Sequence, residues 1–508
     1  MISPVPSRDG LRPKRKTATL TRFNGLALLL SLQVGAAIFS APSLISQLVR
    51  SPAEGLAVFV AAGLLVWTGA ASFVELGLLI PSNGGIQDYL RAAWGDYAGH
   101  LFSWVWLGVA RPAGGAVVAN IFADFLLKAL YPAGVTGTWP SKIVALGCVA
   151  SLTAINCLGA TSGAKAASGF VVLKLTALAS IIIIGLGTYM LGHGEGVPAS
   201  PFGWFGHPVS SVESGGEDSL GDFSKAVLTA LFCYGGWESV GFIVGDMENP
   251  VKDLPIVING AMSLVMVGFF LMNASLYICL PFDVIRESRT VALDFANRTI
   301  GPFGGLAFSL VVAVSAMGAA NASMFAISKL AVAASQRGYF PPILANLHCC
   351  TPRDEATYLD RAVPWPFRVP LLVVARLTRR LRWEHSVPVF ALLLNWALTS
   401  TFILVGGFTG LITLIEIVKS FCFMMSILGI FKLRRRGTTP PLAGSHPVYR
   451  TWTGNPVIFA SVSGLLIIRG VLSTPLQAPV FLLIGILGLA VLYGKHSPGT
   501  GYEPAPPV

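Results

Sequence analysis

The chain has 508 residues, of which 54% are hydrophobic and 12% charged, and it carries a net charge of +11. Soluble domains average about 25% charged residues, so this chain cannot cover soluble surfaces. With seven cysteines and no Gly-X-Y period, it is neither a disulfide scaffold nor collagen-like. A polytopic membrane protein remains.

A membrane-crossing helix needs roughly 20 apolar residues. Twelve segments qualify: residues 23–48, 53–80, 101–130, 142–157, 166–191, 223–247, 254–280, 302–334, 387–405, 408–433, 456–472 and 479–493, numbered below as spans 1 to 12. These runs do not alternate with period two, which excludes a β-barrel. The expected fold is an all-α integral membrane protein of about 12 transmembrane helices.

An even number of spans puts both termini on one side. Arg8, Arg12, Lys14, Arg15, Lys16 and Arg22 precede span 1. Arg376, Arg379, Arg380 and Arg382 lie between spans 8 and 9, and Lys432, Arg434, Arg435 and Arg436 close span 10. All three clusters fall on the same side, so the positive-inside rule makes that side, and both termini, cytoplasmic. The opposite loop, 192–222, carries Glu195, Glu213, Glu217, Asp218 and Asp222. Such clusters orient a membrane protein and attract headgroups; no nucleic-acid partner is expected. Residues 1–22 lack the apolar core and Ala-X-Ala site of a secretory signal and read as a basic cytoplasmic tail. Residues 495–508, rich in Pro and Gly, read likewise. Cys148, Cys157, Cys233, Cys279 and Cys422 fall in spans, and Cys349 and Cys350 in a cytoplasmic loop, so no extracellular disulfide is expected. Residues 348–385 stand apart, with Pro352, Pro364, Pro366 and Pro370 and little periodicity. They read as a regulatory loop or as a stretch outside folding selection.

Two spans carry interruptions. Span 1 holds Gln33-Val34-Gly35-Ala36-Ala37-Ile38-Phe39-Ser40-Ala41-Pro42, and span 6 holds Phe232-Cys233-Tyr234-Gly235-Gly236-Trp237-Glu238. Small residues near mid-span let helices pack closely, but two breaks five spans apart also mark the binding site of an inverted-repeat transporter. An unwound stretch exposes N–H groups that suit a carboxylate and carbonyls that suit an ammonium. An amino acid zwitterion needs both.

These residues resemble the L-type amino acid transporters of the amino acid–polyamine–organocation superfamily, especially fungal methionine-permease-like members. The Gly-Ser-Gly-Ile-Phe motif of that family reads Gly35-Ala36-Ala37-Ile38-Phe39 here. Its Phe-Ala-Tyr-Gly-Gly-Trp motif reads Phe232-Cys233-Tyr234-Gly235-Gly236-Trp237, followed by Asp246-Met247-Glu248-Asn249-Pro250 and Leu254-Pro255. Further matches are Glu75-Leu76-Gly77 with Gly84-Gly85, Arg111-Pro112, Lys174-Leu175, and Asn321-Ala322-Ser323 leading to Gln336-Arg337-Gly338. The resemblance runs from about Asn24 to Arg436, interrupted by 348–385.

The resemblance implies a LeuT-like five-plus-five inverted repeat with helices 1 and 6 broken. Its repeats would be residues 23–191 and 223–433, with two additional helices in 434–494. It implies substrate binding by Val34, Gly35, Ala36, Ala37, Ile38, Phe232, Tyr234, Gly235, Gly236, Trp237 and Glu238, with Phe232 as a gate. Lys174 and Asn321 would be coupling residues, Lys174 replacing the sodium ion of related carriers. Three departures bear on this. Ala36 lacks the family's serine hydroxyl, Ala37 narrows the approach, and Glu238 stands where asparagine is common. The loop Tyr131-Pro132-Ala133-Gly134-Val135-Thr136-Gly137-Thr138-Trp139-Pro140 lacks the cysteine that joins animal members to a heavy subunit. No disulfide-linked partner is therefore expected.

Ionisable groups inside spans are functional candidates by default. Besides Lys174 and Glu238, these are Arg111, expected to be paired; Glu75, expected to be structural; and Glu416 with Lys419, expected to pair along one helix face. Asn297-Arg298-Thr299 is a glycosylation sequon in an outer loop. No catalytic constellation appears, so an enzyme is not expected. His348-Cys349-Cys350 lacks a second ligand pair, so neither a metal nor a cofactor is expected. There is no Walker A motif, so ATP is not the expected energy source. The expected function is secondary active transport of amino acids, large neutral ones or methionine, by alternating access, in a membrane that is expected to be the plasma membrane. A carrier of another small solute, such as a polyamine or choline, and a non-transporting nutrient receptor remain open at this point.

Overall fold

The computed structural model describes residues 21–81, 84–131, 137–158, 160–196, 204, 219–242, 244, 247–340, 344, 388–437 and 449–473. Among them every regular element is helical. Among the described residues, eight helices are long and apolar enough to cross a membrane: Pro52–Leu79, Asp96–Leu130, Trp139–Cys157, Val172–Met190, Pro250–Cys279, Pro302–Met324, Phe408–Arg435 and Gly454–Leu472. These answer to spans 2, 3, 4, 5, 7, 8, 10 and 11. Span 9 is the shorter apolar helix Val389–Val405. Spans 1 and 6 are interrupted, as their small residues imply. The twelfth expected span, the insertion 348–385 and the first two basic clusters, except Arg22, lie outside the described residues.

The packing has an internal order. Spans 1, 2, 6 and 7 pack on one another, and so do spans 3, 4, 8 and 9. Span 5 packs on spans 7 and 8, while span 10 packs on spans 2 and 3. Most of these contacts map onto one another when span 1 is exchanged with 6, 2 with 7, 3 with 8, 4 with 9 and 5 with 10, the arrangement of an inverted repeat; the contacts of span 10 with span 6, span 5 with span 4 and span 1 with span 8 depart from it.

Three short helices were not expected from the sequence. Helix Ile86–Trp94 lies between spans 2 and 3, and helices Phe282–Glu287 and Val291–Thr299 lie between spans 7 and 8. They occupy the same place in the two halves. Gly241 of span 6 lies against Gly85 and Tyr89, and Phe282–Glu287 packs on the second half of span 1. Ile86–Trp94 and Phe282–Glu287 thus each lie against one of the two broken spans. Their apolar runs are too short to cross a membrane, so they read from sequence as loops. Val291–Thr299 includes the sequon, which therefore sits on a helix; Asn297 is exposed there.

Long-range ion pairs tie the spans together. Arg434 at the end of span 10 donates through Nε (2.8 Å) and Nη2 (2.6 Å) to Glu75 of span 2. The Thr451 N–H, just before span 11, adds a third bond to that carboxylate at 2.8 Å. A carboxylate this buried (2% exposed) persists because all three donors reach it. Arg337, after span 8, pairs with Asp88 of the short helix through Nη2 at 2.7 Å. Arg22 pairs with Asp253 of span 7 at 2.8 Å. The five cysteines expected in spans are free and buried.

Candidate functional site

Span 1 runs as an α-helix over Arg22–Gln33, loosens at Val34 and Gly35, tightens into a 3-10 turn over Ala36–Phe39, and resumes over Ala41–Ser46. Pro42 sits in the first turn of the resumed helix, where its missing N–H costs nothing. Span 6 runs over Ser219–Cys233, turns through Tyr234, Gly235 and Gly236, and continues as a 3-10 helix over Trp237–Phe242. Gly236 has φ +106°, a conformation that glycine adopts without strain.

The breaks touch. A Cβ on Gly236 would sit 2.6 Å from the Leu32 carbonyl carbon and 3.0 Å from the Gln33 nitrogen. Absence of a side chain is what lets the two interruptions meet. Gln33 is fully buried; its Nε2 donates to the Met262 sulfur at 3.1 Å, and its Oε1 has no hydrogen-bond partner.

Beside this junction lies a small pocket lined by Ala37, Ser40, Ala41, Leu44, Ile121, Thr229, Phe232, Phe408 and Ile412. Spans 1, 3, 6 and 10 contribute to it. Its wall is apolar apart from two hydroxyls, which suits an uncharged side chain. Of the sequence candidates, Ala37 and Phe232 line it directly. Val34, Ala36 and Ile38 are buried around the break of span 1.

Two candidates turn elsewhere. Tyr234 donates from its hydroxyl to the Phe59 carbonyl at 3.1 Å and packs its ring 5.0 Å from that of Phe269. Its side chain is held between spans 2 and 7. Trp237 packs edge-on against Phe73 (4.8 Å) and Phe423 (5.0 Å). Both rings lock the flanks of the break into the helices behind it, leaving the backbone of Gly236 as the part that faces span 1.

The polar groups at the break were only partly legible. Glu238, 3% exposed, accepts a hydrogen bond from the Gly236 N–H at 2.7 Å. The Lys419–Glu416 pair expected along span 10 is present at 2.9 Å. Its setting is new. The Lys419 ammonium lies 3.0 Å from where a Gly235 Cβ would be, and 6.0 Å from the centres of the Phe232 and Phe423 rings. Glu238 and Arg111 both act electrostatically on it. Arg111 follows a π-helical turn, Trp106–Ala110, and stacks its guanidinium 5.4 Å from the Trp106 ring. Pro112 accounts for the distortion, since it removes one helical N–H and crowds the preceding turn. Two cations and two carboxylates from spans 3, 6 and 10 therefore balance at the break. That balance is what the apolar layer demands of buried charge. A carboxylate on span 6 and a lysine on span 10, far apart in sequence, gave no local signal of this meeting.

Lys174 is 3% exposed on span 5, so its side chain is enclosed by protein instead of reaching a headgroup layer. Asn321, on span 8, accepts a hydrogen bond from Asn156 Nδ2 of span 4 at 2.6 Å. Span 8 packs on both span 5 and the 3-10 turn of span 1, which places these residues on the elements beside the site. Among the described residues, no group of three or more His, Cys, Asp or Glu side chains is arranged to hold a metal.

Comparison with known proteins agrees with this architecture. The amino acid permease family matches residues 20–489. The b(0,+)-type amino acid transporter 1 of Mus musculus is 25% identical over 484 residues, covering 94% of this chain and 88% of that protein. The large neutral amino acids transporter small subunit 2 of Mus musculus is 29% identical over 321 residues, covering 63% of this chain and 59% of that one. The cystine/glutamate transporter of Homo sapiens is 27% identical over 343 residues, covering 68% and 65%.

Proposed function

The chain belongs to the amino acid permease family of multi-pass membrane proteins, and from that premise we propose that it transports large neutral α-amino acids or methionine by alternating access. The observation that carries this reading is the contact between the two helix breaks beside an apolar pocket. Backbone groups freed at the breaks meet the zwitterion, and the apolar wall at Ala37 and Phe232 faces its side chain. Spans 1, 2, 6 and 7 then rock against spans 3, 4, 8 and 9. Phe232 closes the pocket, and Lys174 and Asn321 couple the site to the scaffold helices.

The lining of the pocket carries no carboxylate to receive a polyamine or choline, which favours a neutral side chain. The basic clusters orient both termini to the cytoplasm, and the plasma membrane is the proposed location. Relatives include a protein named as a small subunit. The present loop between spans 3 and 4 lacks a cysteine, and the chain is proposed to work without a disulfide-linked partner.

The test is uptake by the purified full-length chain in proteoliposomes. Labelled methionine should be taken up, and leucine, methionine and phenylalanine should compete while spermidine and choline do not. Equal competition by spermidine or choline would overturn the substrate class. Amino acid binding without any counterflow would replace transport by a receptor role.

A further inference from the structure

The break in span 6 is already filled by the protein's own charges. A helix interrupted within a membrane leaves N–H and C=O groups that must find partners. An α-amino acid would bring one carboxylate and one ammonium to such groups. Here the Glu238 carboxylate takes the Gly236 N–H at 2.7 Å. The Lys419 ammonium, arriving from span 10, rests against Gly235 and faces Phe232. Both side chains are buried, at 3% and 8% exposure. The Lys419 ammonium is bonded to Glu416 at 2.9 Å and neighbours the break without a bond to it, while Tyr234 and Trp237 fix the flanks of span 6 to spans 2, 7 and 10.

We propose that Glu238 and Lys419 are a tethered stand-in for the zwitterionic substrate: they occupy the break of span 6 in the unloaded carrier and yield it when an amino acid binds. The inference rests on the transport reading above. Its consequence concerns coupling. A carrier whose empty site leaves buried polar groups unpaired meets a barrier to returning empty, and so favours exchange. A carrier that supplies its own carboxylate and ammonium returns empty and moves substrate net.

The surroundings permit the exchange of partners. Arg111, stacked on Trp106, lies on span 3 near the break, and Glu416 is bonded to Lys419 at 2.9 Å. When the substrate carboxylate takes the Gly236 N–H, Glu238 still faces a cation. When the substrate ammonium approaches, Lys419 keeps Glu416. The four side chains sum to zero charge before and after, and the substrate adds none. No uncompensated charge appears in the apolar layer at any stage.

The experiment compares methionine uptake by the full-length chain into empty proteoliposomes and into proteoliposomes preloaded with unlabelled methionine. The wild type should take up substrate at comparable rates under both conditions. Glu238→Ala strips the Gly236 N–H of its internal partner. Leaving one buried group unpaired should slow uptake into empty vesicles about tenfold relative to preloaded ones. Glu238→Gln keeps an amide oxygen for that N–H and should restore part of the uptake into empty vesicles that Glu238→Ala loses. Wild-type uptake that requires a loaded lumen overturns the stand-in while leaving transport intact. So does a Glu238→Ala variant with the wild-type ratio. If that variant fails to reach the membrane, the wild-type comparison decides alone. No uptake under either condition refutes the transport reading instead.

Discussion

Replacing Gly236 with alanine tests whether the two breaks form one site. The residue has φ +106°, and an alanine held there costs about 1–2 kcal/mol. The new Cβ would lie 2.6 Å from the Leu32 carbonyl carbon, roughly 1 Å inside ordinary van der Waals contact. Overpacking of that kind costs about 1–3 kcal/mol. The strain falls on the junction between spans 1 and 6, and the rest of the packing is untouched. A loss near 3 kcal/mol in substrate binding is about a hundredfold in apparent affinity. Gly235→Ala is the comparison: its Cβ would meet the flexible end of Lys419 at 3.0 Å and the Phe232 carbonyl at 3.2 Å without a left-handed φ, so it should cost less than Gly236→Ala. The assay is concentration-dependent methionine uptake, normalised to the amount of protein in the membrane and checked for monodispersity in detergent. A Gly236→Ala carrier with wild-type affinity would refute the idea that the breaks act together.

Glu75→Gln leaves Arg434 buried without its counter-charge and should destabilise the protein by about 3 kcal/mol, read as a lower thermal midpoint in detergent; an unchanged midpoint refutes the pairing's importance. Lys174→Ala should abolish most uptake while leaving surface expression intact, whereas unchanged uptake ends its coupling role. Phe232→Ala removes a ring from the pocket wall and should raise KM more than it lowers kcat; an unaltered KM places the substrate elsewhere. Reducing and non-reducing gels of the native protein should run alike, and a larger species that thiols dissolve would reveal a disulfide-linked partner.

The membrane class, the positions of the described spans and the two interruptions are all legible in the chain. They are local properties: the length of an apolar run, and a pair of glycines or a cluster of small residues within it. The resemblance extended this to the backbone at Gly35–Ala37 and Gly235–Gly236. The short helices Ile86–Trp94 and Phe282–Glu287 escaped notice because neither is long enough to register as a span. Tyr234 and Trp237 were legible as neighbours of the break but not in direction, since the rings that receive them belong to spans 2, 7, 10 and 11.

Charge divides most clearly along this line. Composition confines charge to few places within the spans, because the apolar layer tolerates so little of it, and the pattern singles out Glu75, Arg111, Lys174, Glu238, Glu416 and Lys419 one by one. Their partners are another matter. Glu75 meets Arg434 across 359 positions, and Lys419 meets the break of span 6 from span 10. Such pairs depend on how the helices cross, and a helix's own periodicity carries no record of which neighbour it will face.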